Sequence, residues 1–156
     1  MAKPRFVYVS YIATTPEKLW AALTGAEFTQ QYWFGRYVES DWRPGSPVTY
    51  WTDKSRNQLD ITGEVLRSEP PRLLSYTFTD CLTEEAKRER PSRVTFEIEP
   101  LGAVVKLTMT HDDFDPGSQV LEGVSRGWPG ILSSLKSLLE SDKPLVLDVA
   151  HFECAD

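Results

Sequence analysis

Few residues of this chain are of types that do chemistry, and their spacing narrows what they can do. The two histidines are His111 and His151. His111 opens the run HDDFDPG and keeps the alternation phase of Leu107 and Met109. That phase would turn it toward the mouth of an interior cavity as a general base. The plainer reading is a partly exposed histidine at a strand end. His151 lies in the C-terminal tail. A nucleophile, a base and an orienter do not stand out as a set, so no catalytic residue is assigned. HDDFDPG looks like a calcium loop but fails its spacing, which needs oxygen ligands at alternate positions, then a glycine, then a glutamate six further on. Pro116 follows Asp115, which suits helix capping and surface charge instead. Cys81 and Cys154 are far apart and form neither a paired motif nor a zinc pattern. A glycine-rich phosphate loop is also missing. The expectation is no metal and no cofactor.

The aromatic residues carry a stronger signal. They make up 12% of the chain, with five Trp. On strand and helix phase, Trp33, Tyr50, Tyr76, Phe78, Phe96, Met109 and Trp128 point inward. Singly, each reads as core packing. Together with His111 and Leu132 they would line an apolar pocket with a few hydroxyl handles, fit for a flat or greasy ligand. Tyr50, Tyr76 and His111 would fix its orientation; they are also the thin polar set open to a cyclase-like enzyme. Contact of Trp128, Tyr76 and Phe96 with no space between them would overturn that pocket. Asp60 and Glu64 share a strand face with Thr62, opposite Ile61, and are expected to face solvent.

Elements must hold these side chains. Residues 5–13 alternate and are rich in Val, Tyr and Ile, which reads as a strand. In TTPEKLWAALT, Thr14 or Thr15 caps a helix, Pro16 suits its first turn, Glu17 suits its positive end and Gly25 closes it. Its buried stripe is Leu19, Trp20 and Leu23. A second short helix runs from Ala26 to about Tyr32. The period then changes to two. Extended segments are expected at 35–42, 46–52, 59–68, 72–79, 92–100 and 103–111, with the charged run 80–91 a solvated loop or helical turn. Short links imply antiparallel pairing, and alternation implies one buried and one wet face.

GWPGILSSLKSLLES, residues 127–141, places Trp128, Ile131, Leu132, Leu135, Leu138 and Leu139 on one helical face. Val120, Leu121 and Val124 extend that stripe upstream, so the helix spans about 117–141, capped by Asp115 with Pro116 or by Ser118. Pro129 would kink it; a break near Gly127 is the alternative. The half from Leu132 to Leu139 would close the core, and Trp128 would be a plug or a cavity wall. The tail PLVLDVAHFECAD reads as a short strand or a loose end.

The chain has 156 residues, which implies one domain, 1–143, followed by the 144–156 tail. A net charge of −6 repels phosphate backbones, so nucleic acid is not an expected partner. The N-terminal stretch lacks the apolar core of a signal peptide, and no segment approaches a membrane span. A reduced, cytoplasmic monomer or homodimer is expected.

Three stretches give a family likeness: the opening strand with TTPEKLWAALT, QQYWFG at the end of the second short helix, and GWPGILSSLKSLLE. With the element order, they resemble the family called activator of heat-shock-protein-90 ATPase homologue-like, in its short bacterial form. That family sits within the START and birch-pollen-allergen (helix-grip, SRPBCC) superfamily. The likeness covers about residues 5–142; the last stretch is fairly specific to the family and the first is common to the superfamily. It implies an α+β helix-grip fold. A seven-stranded antiparallel curved sheet would wrap around a long C-terminal helix, with two short helices between strands 1 and 2 and a cavity between sheet and helix. It brings no catalytic motif, and relatives range over lipid carriers, hormone receptors and polyketide cyclases. Eukaryotic members that stimulate the chaperone have an additional N-terminal domain, whereas the first strand here begins within a few residues of Met1. The inward aromatic set and the cavity that the resemblance implies make the expected function non-catalytic binding of an apolar or aromatic small molecule. The alternatives are a stress-response module that touches a chaperone or other protein, and a cyclase-like enzyme.

Overall fold

The computed structural model describes residues 3–147. Strand β1 (Phe6–Ile12) leads into helices α1 (Pro16–Thr24) and α2 (Ala26–Tyr32). Strands β2 (Tyr37–Glu39), β3 (Pro47–Trp51), β4 (Leu59–Glu69) and β5 (Leu73–Asp80) follow. A one-turn helix α3 (Glu84–Arg88) precedes β6 (Ser92–Leu101), β7 (Val104–Asp112) and the long helix α4 (Gln119–Ser141). The strands form one seven-stranded antiparallel sheet in the order β1-β7-β6-β5-β4-β3-β2. This is the expected helix-grip architecture. The charged 80–91 run resolves into a helical turn, with Thr83 accepting from the Ala86 amide at 3.1 Å.

Alternation sets the inner face. Val48 and Tyr50, Leu74 and Tyr76, Val94 and Phe96, and Leu107 and Met109 are all buried there. Thr15 caps α1 through the Lys18 amide at 3.2 Å, with Pro16 at the first helical position. Two register shifts break the strand period in β4, one at Asp60 and one between Val65 and Arg67. Tyr50 pairs with Ile61 and Trp51 with Leu59, so Asp60 is an extra residue with no opposite number. Such a bulge re-aims its side chain. Asp60 is therefore buried against Arg36, rather than solvent-facing as strict alternation requires. Three residues on, the Thr77 carbonyl oxygen lies so close to Gly63 that an added Cβ would stand 1.8 Å from it. The Glu64 amide bonds the Thr77 hydroxyl at 2.9 Å in place of a ladder bond. Only a residue without a side chain admits that approach, which lets β4 and β5 bend together.

Helix α4 is continuous through Pro129. Ser118 is its cap, accepting from the Leu121 amide at 3.0 Å. The Glu89 carboxylate reaches over from the turn after α3 and takes the Ser118 hydroxyl and the Gln119 and Val120 amides. A negative charge is well placed at that positive helix end. At the other end, the Lys136 ammonium donates to the Tyr11 carbonyl at 2.6 Å, and Glu140 accepts from the Ala13 amide at 2.8 Å. Leu132, Leu135 and Leu138 are buried. Residues 144–147 carry no regular structure, and the rest of the tail, with His151 and Cys154, lies outside the described residues.

Gly63→Ala should cost about 2–4 kcal/mol in equilibrium denaturation, because backbone rather than a side chain must move. Gly45→Ala, at φ +89° but in open space, should cost only about 1 kcal/mol.

Candidate functional site

A polar chain runs through the apolar interior where α4 crosses the sheet. The Trp128 indole N–H donates to His111 Nδ1 at 3.1 Å. Indole has no lone pair to accept with, so Nδ1 is the bare nitrogen and the proton sits on Nε2. That Nε2–H donates to Ser92 Oγ at 2.7 Å, and the Ser92 hydroxyl donates to the Phe78 carbonyl at 3.2 Å. Every donor meets one acceptor, so a buried polar string costs little here. His111 is 0% exposed and packed against Phe78 and Phe114, with ring centroids 4.7 and 4.5 Å away. Burial drives its pKa down to about 3, with Asp112 opposing weakly. Neither expectation for His111 holds: it is not at the edge of solvent, and both ring nitrogens are engaged.

The other inward residues fall into two groups. Tyr50, Tyr76, Phe96, Met109 and Leu132 join His111 in the closed body of the core. The Tyr50 and Tyr76 hydroxyls bond each other at 3.0 Å, so their handles satisfy one another. Burial raises the pKa of both. Tyr76, Phe96 and Trp128 follow in ring contact, with centroids 6.3 and 6.1 Å apart. The space expected among these three rings is filled. Trp33, Phe78 and Trp128 lie at the border of that body, Trp33 being 5.1 Å from Trp128. They face a half-open groove of about 310 Å³ between α4, the ends of β4 and β5, and the turn after α2.

Three local features shape this groove. The turn Trp33–Arg36 puts Phe34 at φ +49° and Gly35 at φ +92°. A left-handed aromatic residue is uncommon and turns both Phe34 and Arg36 to the groove. Thr29, fully buried, clamps the turn by donating to the Arg36 carbonyl at 2.9 Å. The β4 bulge delivers Asp60, whose Oδ2 accepts from Arg36 Nε at 2.7 Å. Burial raises the Asp60 pKa; Arg36 pulls it back and Asp80 adds to the rise. On α4, Gly123 and Gly127 line the opposite wall, and an added Cβ would meet nothing within 4 Å at Gly123 and only Ile131 Cδ1 at 3.9 Å at Gly127. Helix-interior glycine costs about 1 kcal/mol against alanine. No packing contact demands it at either place, and its result is room.

Sequence reasoning did not single out Arg36, Asp60, Asp80, Gly123 or Gly127 for this site. The glycine pair one turn apart on a strongly amphipathic helix was the available signal. Other depressions, such as that beside Glu39, Asp41 and Thr49, have mostly polar walls. Among the described residues, no group of three or more His, Cys, Asp or Glu could hold a metal ion, and no helix is long and apolar enough to cross a membrane.

A family model described as "Activator of Hsp90 ATPase homolog 1-like protein" matches residues 13–140. No curated protein sequence matches significantly. Among solved structures, a protein from Mesorhizobium loti is 26% identical, with a TM-score of 0.73 over 87% of this chain and 96% of that one. The Aha1 dimer from Colwellia psychrerythraea is 18% identical, with a TM-score of 0.71 over 90% and 98%. An HSP90 activator from Plasmodium falciparum is 22% identical, with a TM-score of 0.69 over 86% and 95%.

The buried histidine predicts a pH signature. Its folded pKa is about 3, while in the unfolded chain it is about 6.5. Between these values the unfolded state binds the extra proton. Its contribution is complete above about pH 6.5 and falls toward pH 3 by about 1.4 kcal/mol per pH unit. Denaturant unfolding from pH 7 to 4 should show this slope in the wild type and its loss in His111→Asn. Trp128→Phe should cost at least about 1–3 kcal/mol by leaving Nδ1 buried without a donor.

Proposed function

The chain belongs to the Activator of Hsp90 ATPase homolog 1-like family, and from that premise we propose that it is a non-catalytic carrier or sensor of an apolar, aromatic small molecule. The site is the groove between the sheet and the first half of α4. The observation that carries this reading is a groove of about 310 Å³ walled by Trp33, Phe34, Phe78 and Trp128, kept open by two glycines that the helix would otherwise be better without. Its volume suits a compact ligand of one to three rings. Trp33, Phe78 and Trp128 are the contacts shared with the set expected from strand and helix phase. Tyr50, Tyr76, Phe96, Met109, His111 and Leu132 form the rigid backing that keeps Trp128 in place.

A second reading rests on the family and on the likeness to the HSP90 activator of Plasmodium falciparum. In it the protein docks on the chaperone and stimulates its ATPase. Titration of purified chaperone with this protein, read as ATP turnover, decides that point directly.

The groove reading is tested with N-phenyl-1-naphthylamine, a neutral apolar probe whose fluorescence rises on burial. Saturable one-to-one binding is expected. Gly127→Leu should weaken it at least ten-fold while leaving the protein folded and no less stable, since leucine is the better helix former. Equal binding by both proteins would place the probe elsewhere and overturn the reading.

A further inference from the structure

The polar wall of the groove narrows the ligand class, an inference that rests on the groove reading above. Asp60 is almost wholly withdrawn from water, its side chain 7% exposed, against 29% for Arg36. Arg36 engages only Oδ2; among the described residues, nothing donates to the second oxygen. Asp80 stands on the same inner face, opposite Ile61 and two residues beyond Phe78, and is also part of the groove wall. One of its oxygens accepts from the Leu82 amide at 2.9 Å. Two of the three charged side chains that line the groove are acidic, a formal sum of −1, and Asp80 acts on Asp60 as a like charge. The remaining walls are aromatic, and a ring presents its negative face to a cation. An ammonium group supplies what is missing on each count: donors for the free Asp60 oxygen, a charge that relieves the repulsion, and a partner for the rings. A carboxylate would meet Arg36 but would also meet both acids.

We infer that the groove recognises a hydrophobic amine, with the ammonium group seated between Asp60 and Asp80 and the apolar body on Trp33, Phe78 and Trp128. Arg36 holds Asp60 in position and does not touch the ligand's charge. The amine stays protonated, and no covalent step is involved.

Three single-ring probes test this: 2-phenylethylammonium, neutral 3-phenylpropanamide and anionic 3-phenylpropionate, titrated calorimetrically at pH 7.5. The ammonium ion should bind about ten-fold or more tightly than either of the others, the scale of one charged hydrogen bond. Asp80→Asn keeps an acceptor for the Leu82 amide and should erase most of that preference; Asp60→Asn should erase the rest. The near-ultraviolet circular dichroism of both variants, compared with that of the wild type, checks that the fold is intact. Equal affinity for the three probes, or preference for the propionate, would overturn the inference while the groove reading stands. Failure of these three probes and of N-phenyl-1-naphthylamine on the wild type would overturn both.

Discussion

The hydrogen bond from the Trp128 indole to His111 is the interaction on which the rest of the molecule turns. It is the fully buried point where the long helix is tied to the sheet by direction rather than by area alone, the Lys136 bond to the Tyr11 carbonyl being an exposed one. Leucines at 132, 135 and 138 would tolerate small slides of α4, since apolar contact has no preferred angle. The indole does not, because its proton must meet Nδ1 while Nε2 meets Ser92 and Ser92 meets the Phe78 carbonyl. The whole string is satisfied only in one register of helix on sheet. Its burial keeps His111 neutral, and neutrality is what leaves Nδ1 able to accept. A histidine that looked available for catalysis is thus consumed as a structural latch.

Fixing Trp128 also fixes what lies on its other side. The groove exists because three irregularities converge on one end of the sheet: a bulge at Asp60, a left-handed turn at Phe34 and Gly35, and glycines at two successive turns of α4. Each is locally unfavourable or at best neutral. A buried carboxylate needs its arginine, a left-handed phenylalanine is strained, and helical glycine is entropically poor. Their coincidence around one volume is the strongest reason to read that volume as functional. The filled region beneath it, from Tyr50 to Met109, is the rigid floor such a site requires.

The regular parts of this fold were legible because each depends on a short-range period. Alternation in β3 and β5 to β7 gave the inner face, and 3.6-residue spacing gave α4 through Pro129. The cap was open between Asp115 and Ser118, and the Glu89 carboxylate brought from another turn favours Ser118. The lining of the groove was legible only where it shares those periods, at Trp33, Phe78 and Trp128. Asp60 was misplaced because a single inserted residue reverses strand phase, and nothing in LDITGEV marks the insertion. Arg36 depends on a turn geometry set by Thr29 seven residues earlier. His111 was correctly phased inward, but its complete burial comes from Phe114 and from a helix that arrives later in the chain.

The most direct test is where a ligand acts on the indoles. The chain has five tryptophans, and only Trp33 and Trp128 line the groove. A two-dimensional NMR titration of the assigned indole N–H signals with a neutral naphthyl ligand should move those two and leave Trp20, Trp42 and Trp51 in place. The Trp128 signal, while it shifts, should stay in the downfield range of a proton hydrogen-bonded to His111. Shifts at Trp20 or Trp51 with Trp128 unmoved at saturation would put binding on another surface and contradict the account.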